Sequence, residues 1–294
     1  MSRANPRENP IIMQTDILIF NVGLGQSVFI YPHGHPEYAM MVDCGHSGDF
    51  HPIDFLSRRK YIVNNDLPNL TVTNYDRDHI SSLPYLRDKF KIRSVNLAPN
   101  LTSAELRGLK ALPHSDALNH VCHIKDTYTT PALNYTPPYR KVTFYLDKHH
   151  LEKHTTNDLS QIVFIEHMGS VICISGDLET TGWAAMLKHR VDITAWLQRT
   201  HVFIASHHGR DNGYHPEIFQ YCNPECIIIS DKDIIHDTQE GMSTLYGKHV
   251  SAAGIVFNGN TTERRKVLTT RCDGHIWVRL DAAGNRTYKS FSHE

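Results

Sequence analysis

Two carboxylates, an imidazole and an amide crowd the segment Asn74-Tyr75-Asp76-Arg77-Asp78-His79. These are metal-binding groups: imidazole suits Zn, Fe or Mn, and carboxylate or amide oxygens suit harder cations. The segment follows the apolar run Leu70-Thr71-Val72-Thr73, which reads as a short buried strand, and leads into Ile80-Ser81-Ser82-Leu83, where a helix can begin. Alternate residues leaving a strand point to one side, so Asn74, Asp76 and Asp78 are expected to converge with His79 beside them. An isolated D-x-D-H is more often a polar loop with its charges in solvent. The pattern therefore needs support from elsewhere in the chain.

Two further runs supply it. Val171-Ile172-Cys173-Ile174 ends in Ser175-Gly176-Asp177, and Val202-Phe203-Ile204-Ala205 ends in Ser206-His207-His208-Gly209. Each has an ordinary explanation alone: a helix N-cap for the aspartate, a partly buried or surface pair for the histidines. Three strand-like runs that each finish in a metal-capable residue are harder to set aside, because layered α/β folds build their sites at strand ends.

The elements that must position these residues can be read along the chain. Strands are expected over 16–20, 27–31 and 38–42, the last ending in Asp43-Cys44-Gly45. The turn Asn21-Val22-Gly23-Leu24-Gly25-Gln26 contains a G-x-G, but a strand follows it, which is not the context of a dinucleotide fingerprint. Helices are expected over 53–64, 82–91 and 103–112, with a strand at 94–97. From Pro113 to Arg140 the chain reads as irregular, with Pro131, Pro137 and Pro138 breaking any long element. Strands resume at 142–146, 161–166 and 171–175, a helix follows over 180–190, and strands at 202–206, 227–230, 266–270 and 275–280 complete the pattern. No repeat or linker interrupts it, so one domain over 1–294 is expected, with a loose leader at 1–12 and a loop-rich insertion at 113–158. Clustered early strands followed by mixed strands and helices point to packed sheets with helices outside.

The bulk numbers narrow the function. Net charge is −1 and the pI about 7.1, so phosphate neutralisation over a broad surface is not the main source of affinity. A nucleic-acid substrate would need a local basic surface, and a small anionic ligand fits the balance equally well. The six cysteines form no CxxC pair, which is the pattern of a reducing compartment. The polar N-terminus lacks an apolar signal core, and no stretch has the length of a membrane span. A cytoplasmic protein with no membrane partner is expected.

In the order of its motifs the chain resembles the metallo-β-lactamase fold, and within it the hydrolase domain of the ComEC/Rec2 DNA-uptake type. The opening D-V-G-Q-G-D-S turn of that branch is loosely matched by Asn21 to Ser27, and its I-D-x-G element by Val42-Asp43-Cys44-Gly45. Its metal motif S-H-x-D-x-D-H-I-G-G is similar to the run from Thr73 to Ser82. An N-D-x-S element is met by Asn157-Asp158-Leu159-Ser160, G-D by Gly176-Asp177, H-H-G-S by His207-His208-Gly209-Arg210, and T-x-x-D-G by Thr270-Arg271-Cys272-Asp273-Gly274. The resemblance runs from about Asp16 to Leu280.

What it implies is an αββα four-layer sandwich and a hydrolase using one or two divalent ions, Zn or Mn. Asp78, His79, Asp177 and a histidine of the 207–208 pair would hold one ion. Asp76 would help hold a second or orient water, and the spare histidine, His207 or His208, would donate a proton. The family's first metal histidine is Asn74 here, a weaker ligand, so a single tight ion or an unequal pair is expected. Arg210 and Lys232 are candidate clamps for an anionic oxygen, and His236 could complete the metal shell or cap a helix. The implied substrate is a phosphodiester, foremost DNA. The alternatives are a small phosphodiester or ester such as a cyclic nucleotide, and a non-catalytic binding module with a degraded metal site.

Overall fold

The computed structural model describes residues 14–48, 50–128, 135–232, 239–251 and 253–292. The hairpin of β1 (Gln14–Ile19) and β2 (Val28–Pro32) is followed by β3 (Met40–Val42) and α1 (Pro52–Arg58). Then come β4 (Asp66–Leu67), β5 (Asn69–Val72), α2 (Arg77–Ile80), α3 (Leu83–Lys89), β6 (Lys91–Ile92) and β7 (Val95–Leu97). The middle of the chain holds α4 (Ser103–Gly108), α5 (Asp116–Thr127), β8 (Arg140–Phe144), β9 (Ile162–His167) and β10 (Ser170–Ile174). After α6 (Thr180–His189) and α7 (Ile193–Leu197) lie β11 (Thr200–Ile204), β12 (Cys226–Ile229) and α8 (Met242–Gly247). The described chain closes with β13 (Ile255–Phe257), β14 (Asn260–Arg265), β15 (Val267–Thr269), α9 (Thr270–Asp273), β16 (His275–Asp281) and β17 (Arg286–Phe291).

Two sheets carry the architecture. One runs β14-β13-β17-β16-β1-β2-β3-β5-β7, the other β15-β12-β11-β10-β9-β8. Period-two patterning explains why they stack. Ile17, Ile19, Ile30, Met40 and Val42 turn inward against Ile165, Ile172, Ile174, Val202 and Ile204 of the second sheet. Residues of the opposite parity, among them Leu18, Phe20, Phe29 and Met41, belong to the other apolar cluster, with Ile53, Leu56, Leu83 and Leu86 of the helices. Phe203 of the second sheet packs there with Trp183 of α6, their ring centroids 6.3 Å apart. Each such fully buried side chain contributes about 1.5–3 kcal/mol. The result is the αββα four-layer sandwich expected from the sequence.

Strand direction places the site. β3, β5 and β7 are parallel neighbours, and so are β10, β11 and β12. Val42 pairs with Thr71, and Ile174 with Ile204. The residues that follow these strands, Asp43, Thr73, Asp177 and His208, therefore leave at neighbouring strand ends.

Three local expectations change. The segment expected to be irregular from Pro113 to Arg140 contains α5, capped by the Ser115 hydroxyl, which accepts from the Leu118 amide at 3.2 Å. Its buried Ala117, Leu118, Val121, Cys122 and Ile124 make one helical face, and the prolines lie beyond its end. The helix expected over 53–64 stops at Arg58, and that expected over 103–112 stops at Gly108. The strands β13, β14 and β17 were not anticipated. β14 is polar along its whole length, which hides any alternation.

Candidate metal centre

The loop after β5 does not keep the alternation of the strand. The Asn74 side-chain oxygen accepts from the Asp76 amide at 2.7 Å and closes a tight turn. Tyr75 is turned into the core, where its hydroxyl donates to the Ala98 carbonyl at 3.0 Å. α2 then begins, so Asp78 and His79 lie within one helical turn and Asp76 stays outside it. Two close backbone approaches fix that turn. The His79 carbonyl accepts from the Cys44 amide at 2.7 Å, and the Asp78 carbonyl from Gln26 at 3.3 Å. Glycine is needed beside it: a Cβ on Gly45 would stand 2.3 Å from the Asp78 carbonyl oxygen. Gly176, at a φ of +55°, passes the Thr73 side chain just before Asp177.

Asp78, His79, Asp177 and His208 come together with ligand atoms within 4.8 Å of one another. His79 Nε2 lies 2.9 Å from Asp177 Oδ1, and His208 Nε2 lies 3.1 Å from Asp78 Oδ2 and 3.4 Å from Asp177 Oδ1. Both imidazoles are oriented from behind. Asp43 Oδ2 is 2.9 Å from His79 Nδ1, and the Ser230 carbonyl is 2.9 Å from His208 Nδ1. With Nδ1–H donating outward, each Nε2 lone pair faces the cluster, as in carboxylate–histidine–metal arrangements. Asp43 is itself held by the Thr73 amide at 2.6 Å and by Gln26 Nε2 at 2.7 Å. The backbone is strained where it delivers the ligands: Asp43, His207 and His208 have φ of 57°, 49° and 55°. Such conformations cost about 1–3 kcal/mol each and collect at functional sites.

The cluster fits a divalent cation. His79 Nε2 and Asp177 Oδ1 are buried and, although 2.9 Å apart, lack the alignment of a hydrogen bond with any partner. A buried polar atom left so costs about 1–3 kcal/mol, and an ion between them would remove that cost. Two imidazoles and two carboxylates are a donor set for Zn or Mn. Burial would depress both imidazoles, but Asp177 and Asp43 hold His79 well above the ordinary histidine value, and Asp177 with Asp78 lifts His208 to about 9. Burial opposes ionisation of Asp177 too, yet the two histidines keep it well below the usual carboxylate range. A cation entering here displaces protons from between the same carboxylates.

The other expected residues are placed as follows. The Asp76 carboxylate is not in the cluster; Oδ1 accepts from the Lys110 ammonium and from the Thr156 hydroxyl, the latter at 2.7 Å. Asn74 Nδ2 donates to Asn157 Oδ1 at 2.8 Å and Ser160 Oγ at 3.0 Å. His207 turns away from the ligands, with Nδ1 3.4 Å from Glu179 Oε1, so His208 is the member of the pair that joins the cluster. Arg210 Nε is buried without a hydrogen bond, and Lys232 is exposed. His236 lies outside the described residues. A cleft of about 540 Å³ opens beside Asp78, lined by Leu24, His46, Asp76, Arg77 and Ser81. His46 bonds Ser81 Oγ at 2.8 Å and stacks on His51 with centroids 4.5 Å apart.

Sequence reading assigned no role to Asp43, Ser230, Lys110, Glu179, His46 or Arg77. Asp43 had a signal, since it ends a strand as the ligands do. Lys110 had none, standing in a loop 34 residues from its partner.

No protein-family model and no curated protein matches the chain. Among solved structures 32 chains match. One is a metallo-β-lactamase superfamily protein of the archaeon Sulfolobus tokodaii, with a TM-score of 0.27 and 17% identity, over 59% of this chain and 60% of that chain. The likeness is too slight to bear on function.

Proposed function

We propose that this protein is a metal-dependent hydrolase of phosphodiesters and that nucleic acid, DNA foremost, is its substrate. The observation that carries the reading is the cluster of Asp78, His79, Asp177 and His208 at neighbouring strand ends, with two buried ligand atoms unpartnered. A divalent cation held there, Zn or Mn, supplies Lewis acidity: it brings the pKa of water toward neutrality and withdraws charge from a phosphoryl oxygen. The protein does the rest. Asp43 and the Ser230 carbonyl fix the tautomers of the two histidines. Arg77 and the His46 imidazole flank the cleft beside Asp78, where a phosphate and its leaving group can lie. Burial, then His51 and Arg77, keep His46 below the ordinary histidine value, hence a neutral acceptor at pH 7. The motif order supports a phosphodiester over other esters, and six free cysteines fit a reducing, cytoplasmic setting.

The near-neutral charge favours a second reading, a small phosphodiester such as a cyclic nucleotide. The deciding experiment is metal analysis of the purified protein, with cleavage assays on single- and double-stranded DNA and on a small aryl phosphodiester, each with and without added Mn²⁺. Bound metal with Mn²⁺-dependent DNA cleavage supports the nuclease. Cleavage of the small ester alone moves the substrate class. Neither metal nor cleavage leaves a binding module.

A further inference from the structure

Beside the cluster lies a second group of polar side chains with the opposite character. Asp76, an obvious ligand by type and position, has its Oδ1 taken by Lys110 and Thr156. Lys110 Nζ also donates to Thr156 Oγ1 at 2.5 Å, so the three side chains close a ring. Asn74 spends its oxygen on the Asp76 amide and its NH₂ on Asn157 and Ser160. Ser160 ties this group to the cluster: its hydroxyl accepts from Asn74 Nδ2 at 3.0 Å and from the Asp177 amide at 3.3 Å. Asp76, Asp78 and Asp177 thus share one end of the sandwich, and the one of the three that stands outside the four-residue cluster, Asp76, is the one already bonded to an ammonium.

We propose that the centre holds a single divalent ion and that the Lys110 ammonium is the second cation, built into the chain. This rests on the metal-centre reading of the previous subsection. An ammonium supplies three N–H donors. Two are used, on Asp76 and Thr156, and the third has no protein acceptor among the described residues, with the side chain one-fifth exposed. That N–H can meet an anionic oxygen of the substrate, as a second ion would. The ammonium cannot acidify water as a metal does, so Lys110 is a charge-compensating and substrate-positioning residue.

The test is metal stoichiometry, read without reference to activity. Protein stripped with chelator is reloaded with excess Mn²⁺ or Zn²⁺, desalted and analysed by mass spectrometry of the elements. Wild type and Lys110→Arg should carry one ion per chain. The double variant Asn74→His with Lys110→Met, which frees Asp76 and introduces an imidazole two residues before it, should carry two. Two ions in wild type, or one in a double variant with unchanged circular dichroism, overturns the proposal. Should the double variant fold poorly, titration of wild type decides: a second equivalent taken up at millimolar Mn²⁺ also overturns it. Zero ions in wild type is a different failure, of the metal centre itself.

Discussion

One short loop serves two neighbouring groups of polar residues, and they are finished differently. Asp78 and His79 face Asp177 and His208 with two ligand atoms, His79 Nε2 and Asp177 Oδ1, buried and unpartnered. Asn74 and Asp76, a few positions earlier, are bonded by Asn157, Ser160, Thr156 and Lys110. Residue type does not separate them, since both contain carboxylates after the same strand. What separates them is whether the surroundings supply donors. The first group is shaped for a ligand from outside, and the second is completed by the chain. An acidic residue near a metal site is therefore a ligand only if nothing in the protein has already neutralised it.

The largest expected effect is at Asp177, the residue both histidines approach. Asp177→Ala should take metal content to background and abolish hydrolysis, because its Oδ1 lies 2.9 Å from His79 Nε2 and 3.4 Å from His208 Nε2 and joins the two histidines. Elemental analysis reads this directly, and retained metal would show that the open group is not the centre. Next comes Asp43→Asn, which preserves shape but removes the charge behind His79. Loss of such an orienting carboxylate weakens metal affinity by about 10–100-fold. Competition with a chromophoric chelator measures it; an unchanged affinity would mean that the carboxylate only braces the strand ends.

How much of this could be read beforehand follows from the range of the interactions. Asp78, His79, Asp177 and His208 are each announced locally, by an apolar run that ends in a ligand type. The layered fold is legible for the same reason: Ile17, Leu18, Ile19 and Phe20 alternate between the two apolar clusters. The completed group is not legible. Thr156 lies 80 residues from Asp76, and nothing near Lys110 says where its ammonium goes. The convergence expected for Asn74, Asp76 and Asp78 assumed that the strand's alternation continues, whereas Asn74 ends it by closing a turn on the Asp76 amide. α5 is masked in the sequence because its apolar face at Leu118, Val121 and Cys122 is interleaved with polar residues and followed by a proline-rich stretch.

Lys141 gives the contrast with Lys110 a thermodynamic form. Among the described residues its ammonium reaches only neutral oxygens, Asn96 Oδ1 at 2.6 Å and Thr71 Oγ1 at 3.2 Å, and burial depresses its pKa to about 8. A lysine whose folded pKa lies below its unfolded value costs stability while it is charged. The cost is fully present below pH 8 and disappears as pH rises toward about 10.5, because the unfolded chain binds the extra proton in that window. Lys141→Met should therefore stabilise the protein at pH 7 by about 2 kcal/mol, after allowance for the two hydrogen bonds lost, and the gain should shrink by pH 10. Urea unfolding at both pH values tests it. A variant less stable at pH 7, or a gain that does not fall with pH, would show that the surroundings of Lys141 offset its burial.

The smallest effect belongs to Thr156→Val. The substitution removes one hydroxyl from the completed group and keeps its volume, leaving the contact between Lys110 and Asp76 in place. Two hydrogen bonds to charged groups are lost, one to Asp76 and one from Lys110. Such bonds cost about 1.5–3 kcal/mol when buried, but Asp76 is one-third and Lys110 one-fifth exposed and the two stay paired with each other, so about 1 kcal/mol in total is expected. That corresponds to a melting point lower by about 2–4 °C. Metal content should not move, because the hydroxyl touches none of the four clustered ligands. If the variant loses metal while its melting point holds, the completed group is part of the centre, and the division between the two halves of the loop fails.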